Sequence, residues 1–192
     1  SNSWAFFPNI TAKSWLVADG EGKIIESENS REIRSIASIT KLMTSIVVLE
    51  AHQDLNEVIN GKTRLSLLQL ALIKSDNEAA RILCKYYPGG EGECVRAMNI
   101  KAFELGMYSS KFHEATGLSV FNVSTAEDLI KLVIEASRFP EIVEASKTSQ
   151  VKIKINKKWF IFNNTNPIIG KKHTFIISKT GYINASGGCI VM

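Results

Sequence analysis

The sequence predicts a two-lobed α/β protein, with an antiparallel sheet built from both chain ends and a helical lobe from the middle. Three observations carry that expectation. Short apolar runs bounded by turn residues stand at both ends of the chain, which is strand texture. The region between them repeats apolar residues at helical spacing. No internal repeat, Pro- or Gly-rich linker or low-complexity stretch divides the 192 residues. A single unit is therefore expected over residues 1–192, with a sheet lobe of about 14–30 and 148–192 and a helical lobe of about 36–147.

In order, Trp15-Leu16-Val17-Ala18 and Lys23-Ile24-Ile25-Glu26 read as two strands joined by the turn Asp19-Gly20-Glu21-Gly22. From Ser38 the period changes. Ile39, Leu42, Met43, Ile46 and Val47, with Val48 and Leu49 beside them, are apolar around so much of the circumference that this helix is expected to be buried. A second apolar helix is expected from about Leu65 to Lys74. Ser75 interrupts it, and helix resumes from Glu78 to Tyr86 until Pro88-Gly89-Gly90 stops it. Helices are also expected at about Glu93 to Glu104 and Thr125 to Arg138, the latter opened by the capping box Ser124-x-x-Glu127. After Pro140 the texture turns to strand. Val151 to Ile155 and Trp159 to Phe162 form a hairpin about Asn156-Lys157, and Thr174 to Lys179 and Gly188 to Met192 give two more strands. A pocket is expected between the lobes.

Composition narrows the function. With 45% hydrophobic and 22% charged residues the chain is an ordinary globular protein, and no apolar run approaches the roughly 18 residues of a membrane span. The chain opens Ser1-Asn2-Ser3 with no initiator Met and no signal-type stretch, as a processed or recombinant form does. The net charge of +4 is uneven: eight Lys and no Asp or Glu lie from Lys147 onward. A basic segment favours anionic partners. Lys152, Lys154, Lys157 and Lys158 fit a solvated sheet edge equally well. Nucleic acid is disfavoured, because no recognition helix or aromatic stacking motif accompanies the charge. Cys84, Cys94 and Cys189 have no zinc spacing with His52, His113 or His173 and are read as buried free thiols. A Cys84–Cys94 disulfide is the alternative in an oxidising compartment.

Three short strings carry the chemistry. They are Ser38-Ile39-Thr40-Lys41, Ser75-Asp76-Asn77 and Lys179-Thr180-Gly181, matching S-x-x-K, S-D-N and K-T-G in that order. Each alone has a bland explanation: a helix cap beside a surface lysine, a capping box from Ser75 to Glu78, and a strand running into a turn. Together they describe a serine acyl-transfer site. Ser38 and Lys41 fall on one helix face a turn apart, so Lys41 can serve as base if desolvation or a second cation keeps it neutral. Lys179 is the candidate second cation. Ser75 would relay a proton to the leaving amine. The Asn77 amide would hold both Lys41 and a substrate carbonyl, and Asp76 would brace the loop. Lys179 and Thr180 would bind a terminal carboxylate, and Gly181 would allow close backbone approach. The N–H groups of Ser38 and Tyr182 would form the oxyanion hole.

The match extends further. Ile36 to Thr44, Tyr87-Pro88-Gly89-Gly90, Ala97-Met98-Asn99, Thr116-Gly117-Leu118-Ser119, Asn122 to Ala126, Asn164-Thr165-Asn166 and Lys179 to Tyr182 make the chain resemble the low-molecular-mass penicillin-binding proteins. These are the D-alanyl-D-alanine carboxypeptidase and endopeptidase family, and the D,D-endopeptidase branch looks closest. The resemblance covers about Ser14 to Met192 and implies a β-lactamase/transpeptidase-like fold. It also implies a Ser38 acyl-enzyme formed on peptidoglycan peptides, covalent inhibition by β-lactam antibiotics, no metal or organic cofactor, and a periplasmic or extracellular place at the cell wall. Two departures stand out. The connection from Leu55 to Arg64 looks short, and the chain stops where the family continues into a last sheet strand and a C-terminal helix. Gly188 to Met192 would then pair directly with Trp15 to Ala18, or a gap would remain, or a partner chain would fill it. A β-lactamase is a weaker alternative, since no E-x-x-L-N string is present. A non-catalytic penicillin sensor or wall-binding module, as in a phage particle, is another.

Overall fold

A computed structural model describes residues 15–19, 24–28, 31, 34–35, 39–163, 182–185 and 188–191. Both chain ends meet in one four-stranded antiparallel sheet, as expected. Strands β1 (Trp15–Asp19), β2 (Ile24–Glu28), β9 (Tyr182–Ala185) and β10 (Gly188–Val191) lie in the order β2-β1-β10-β9. Strand β10 pairs directly with β1, in the register Leu16↔Val191 through Asp19↔Gly188. Of the three arrangements open from the sequence, direct pairing is the one adopted. The strand expected at Thr174 to Lys179 lies outside the described residues. Two-residue pairings form separate small sheets: β3 (Arg34–Ser35) with β6 (Val123–Ser124), and β4 (Val58–Ile59) with β5 (Lys62–Thr63). Neither was expected, because two residues carry no periodicity. The Asn60-Gly61 turn of the second pair is nevertheless a hairpin signal, with φ of 51° and 80°.

The helical lobe is organised around α1 (Thr40–Glu50), whose residues from Thr40 to Leu49 are all buried. Helices α2 (Arg64–Ile73), α3 (Asn77–Lys85), α4 (Glu91–Glu104) and α5 (Ala126–Ala136) all pack on it. An all-round apolar helix can be stable only as such a central element. Helix α5 also packs on β1 and β10, joining the helices to the sheet.

The structure corrects several local readings. Helix α6 (Pro140–Lys147) stands where strand texture was expected to begin, with Pro140 at the first helical turn, where its missing N–H costs nothing. Helix α5 is capped by Thr125, which accepts from the Asp128 N–H at 3.0 Å. Ser124 is not the cap: it belongs to β6, and its hydroxyl pairs with that of Ser110 at 2.6 Å. Cys84 and Cys94 form a disulfide between α3 and α4 with Cα atoms 5.3 Å apart, so they are not free thiols. The hairpin β7 (Gln150–Ile155) and β8 (Lys158–Asn163) turns at Asn156 and Lys157 as expected. Its Lys152 and Lys154 stand over the exposed Trp159 ring at 4.8 and 5.7 Å. No helix among the described residues is long and apolar enough to cross a membrane.

Candidate active site

Lys41 lies in the first turn of α1 and is 1% exposed. Its Nζ donates to the Thr116 carbonyl at 2.9 Å. Burial strips hydration from the charged form and holds the Lys41 amine below the ordinary lysine range. The Arg81 cation pushes the same way, while the Glu114 and Asp76 carboxylates pull against it. The amine is thereby biased toward its neutral, proton-accepting form.

Helices α2 and α3 meet at Ser75. The N–H groups of Lys74 and Asp76 both donate to the Leu70 carbonyl, at 3.0 and 3.2 Å, and so close α2. Asp76 then opens α3 by accepting the Ala79 N–H at 2.9 Å. The cap is thus Asp76 rather than Ser75, one residue later than a box from Ser75 to Glu78 requires. Between the two helices Ser75 has a φ of 56°, in the left-handed region that costs a residue with a Cβ about 1 kcal/mol. One such residue reverses the chain tightly enough for two helices to abut. Asn77 follows as the first residue of α3 and is half-buried.

The third component is the irregular segment from Lys111 to Val123, whose ends are bridged in antiparallel fashion. Asn99 of α4 holds its entrance, accepting the Phe112 N–H at 2.9 Å and donating to the Phe112 carbonyl at 2.8 Å. Fully buried Asn122 accepts the N–H groups of His113 and Glu114 and donates to Thr40 Oγ1 of α1 at 3.1 Å. Thr44, one turn along α1, donates to the Ala115 carbonyl at 2.8 Å. The Glu114 carboxylate gathers the Thr116 N–H and hydroxyl and the Gly117 N–H, each at 2.6 Å, with the Ser119 N–H at 3.3 Å. Burial works against that charge, but the donors from Thr116, Ser119 and Gly117 outweigh it and hold the Glu114 carboxyl below the usual carboxylate range.

Of the predicted site residues, the structure describes Lys41, Ser75 and Asn77, with the backbone of Tyr182 opening β9 opposite Val191. Helix α3, which Asn77 opens, packs on α1, which carries Lys41, and the Asp76 carboxylate at its cap favours the charged form of the Lys41 amine. Ser38, Lys179, Thr180 and Gly181 lie outside the described residues. The N-cap of α1 is Ile39, so Ser38 immediately precedes the cap. Sequence reasoning assigned no role to Glu114, Thr116 or Asn122. The available signal was a polar run, His113-Glu114-Ala115-Thr116, followed by Gly117 in a stretch with neither helical nor strand period.

Comparison with known proteins places this fold in a family. A family model described as D-alanyl-D-alanine carboxypeptidase matches residues 2–60 and 56–192. A D-alanyl-D-alanine endopeptidase of Escherichia coli is 38% identical over 96% of this chain and 67% of its own length. One from Pseudomonas aeruginosa is 37% identical over 95% of this chain and 67% of its own. Among solved structures, penicillin-binding protein D2 from Listeria monocytogenes in its ampicillin-bound form superposes with a TM-score of 0.76 at 25% identity, over 96% of this chain and 89% of that one. A D-alanyl-D-alanine carboxypeptidase from Mycobacterium tuberculosis gives 0.80 at 21% identity, over 99% and 85%, and speaks to the fold. The chain belongs to the D-alanyl-D-alanine carboxypeptidase family of serine peptidases.

Proposed function

We propose that the protein is a serine D,D-peptidase that hydrolyses D-alanyl bonds in peptidoglycan peptides, with cross-links as the preferred substrate. The observation that carries this reading is Lys41: a lysine with 1% exposure, held by the Thr116 carbonyl, three residues after a serine. Lys41, as the neutral amine, takes the proton of the Ser38 hydroxyl while that oxygen attacks the D-alanine carbonyl. The oxyanion is met by the N–H groups of Ser38 and Tyr182. Ser75 passes the proton to the leaving amine as the peptide bond breaks. Water then attacks the ester, giving up a proton to the same base and releasing the acid and Ser38. Asn77 holds Lys41 and the substrate carbonyl, Lys179 and Thr180 bind the substrate carboxylate, and Gly181 permits close approach.

Penicillins present a strained amide at the same position and acylate the same serine. Action outside the cytoplasm, at the wall, accords with a Cys84–Cys94 disulfide, a bond that persists in oxidising compartments. The endopeptidase preference rests on the relatives at 38% and 37% identity. The test is digestion of isolated sacculi: the wild type converts cross-linked dimers to monomers, and Ser38→Ala does not. Equal conversion by the two proteins would contradict the assignment.

A further inference from the structure

We propose that Glu114 is the positioning residue of the catalytic base, fixing the Thr116 carbonyl on which the Lys41 amine is oriented. This rests on the reading of Lys41 as base. A neutral amine has two N–H bonds and one lone pair. An acceptor that takes one N–H stops rotation about the Cε–Nζ bond and so determines where the lone pair points. Thr116 supplies that acceptor at 2.9 Å. Its carbonyl is an unusual choice, since it sits in a segment with no helix or strand to hold it.

Glu114 does the holding. One carboxylate oxygen takes both the Thr116 N–H and its hydroxyl at 2.6 Å. The other takes the N–H groups of Gly117 and Ser119 and the Asn122 amide at 3.1 Å. Asn122 returns to α1 through Thr40, the residue before Lys41. The circuit Thr40–Asn122–Glu114–Thr116–Lys41 is therefore closed, and the carboxylate is its hub. Only a charged acceptor with two equivalent oxygens can satisfy so many donors at once. An amide would turn an NH₂ group toward N–H donors.

The charge has a second consequence. Among the described residues, the ionised groups acting on Lys41 are Glu114 from this segment, with Asp76 and Arg81 from the α2–α3 junction and α3. Desolvation disfavours the ammonium, and the Glu114 carboxylate offsets part of that penalty.

The experiment follows the Lys41 ¹³Cε resonance against pH in lysine-labelled protein, together with the rate of fluorescent-penicillin acylation. In Glu114→Gln the Lys41 titration moves to lower pH and the acid limb of acylation moves with it, while the plateau falls about 100-fold, the loss expected for a misplaced base. In Glu114→Asp the charge remains but withdraws by one methylene, so the titration stays near wild type while acylation falls by a similar factor. A Gln variant with an unmoved Lys41 midpoint, or an Asp variant with wild-type acylation, overturns the proposal. The Asp variant decides alone if the Gln variant does not fold. If the wild type is not acylated at Ser38, the peptidase reading fails, and the Lys41 titration still judges Glu114.

Discussion

Replacing Asn122 with alanine should be among the most damaging single changes in the described structure. The side chain is 0% exposed and ties the 111–123 segment to α1. Its Oδ1 accepts the His113 and Glu114 N–H groups at 2.8 and 3.3 Å. Its Nδ2 donates to Thr40 Oγ1, the Glu114 carbonyl and Glu114 Oε1 at 3.1, 2.9 and 3.1 Å. Alanine leaves two backbone donors without an acceptor, and an unsatisfied buried group costs about 1–3 kcal/mol. With the small cavity added, the expected loss is about 3 to 4 kcal/mol, at the upper end of single substitutions. For a chain of this size that lowers the melting temperature by roughly 10 °C. Urea unfolding followed by circular dichroism measures it directly. Asn122→Asp is the sharper control. It keeps the acceptor oxygen but sets a second oxygen against the Glu114 carbonyl and carboxylate, so it should cost at least as much as alanine despite near-identical shape. A loss below about 1 kcal/mol for Asn122→Ala, or an Asp variant as stable as wild type, would mean that these hydrogen bonds do not hold the segment on α1.

Three further outcomes follow from the same geometry. Lys41→Met should abolish penicillin acylation while raising stability by about 1 kcal/mol, because it removes an amine that burial disfavours in its charged form; calorimetry and labelling together check it. Converting Cys84 and Cys94 to serine should lower stability by about 2–3 kcal/mol, the chain-entropy value for a short loop, with a sequence separation of 10, and the change is read by urea unfolding. Glu114, whose carboxyl is held below the usual range, contributes stability that is full above the unfolded-state value and is lost as pH falls through its folded-state value. Thermal melts from neutral to acid pH should therefore drop more steeply for wild type than for Glu114→Gln, and parallel curves would remove that contribution.

What the sequence revealed depended on whether a signal was repeated or singular. Helix α1 was legible because many apolar residues on all faces have one solution, burial at the centre. The sheet from both chain ends was legible from strand texture, and direct β1–β10 pairing was one of three arrangements that the family resemblance left open. Helix α6 was not legible, because Val143 and Ile142 beside Pro140 carry no more helical than strand signal over eight residues. The caps at Asp76 and Thr125 were each placed one residue early, since Ser, Thr and Asp are all good caps and neighbouring candidates differ only by packing. Lys41, Ser75 and Asn77 could be named because their motifs have fixed spacing. Glu114 and Asn122 could not be given roles, because they act through backbone groups and backbone groups leave no pattern in a sequence. The disulfide shows the same limit: Cys84 and Cys94 stand 10 positions apart, and only the packing of α3 on α4 brings them together.

The most direct measurement is peptide mapping by mass spectrometry after brief incubation with benzylpenicillin at neutral pH. A lysine-activated Ser38 gives one adduct carrying the full mass of the drug, on Ser38, in the wild type and none in Lys41→Met. An adduct on another residue, or equal labelling of Ser38 without the Lys41 amine, would contradict it.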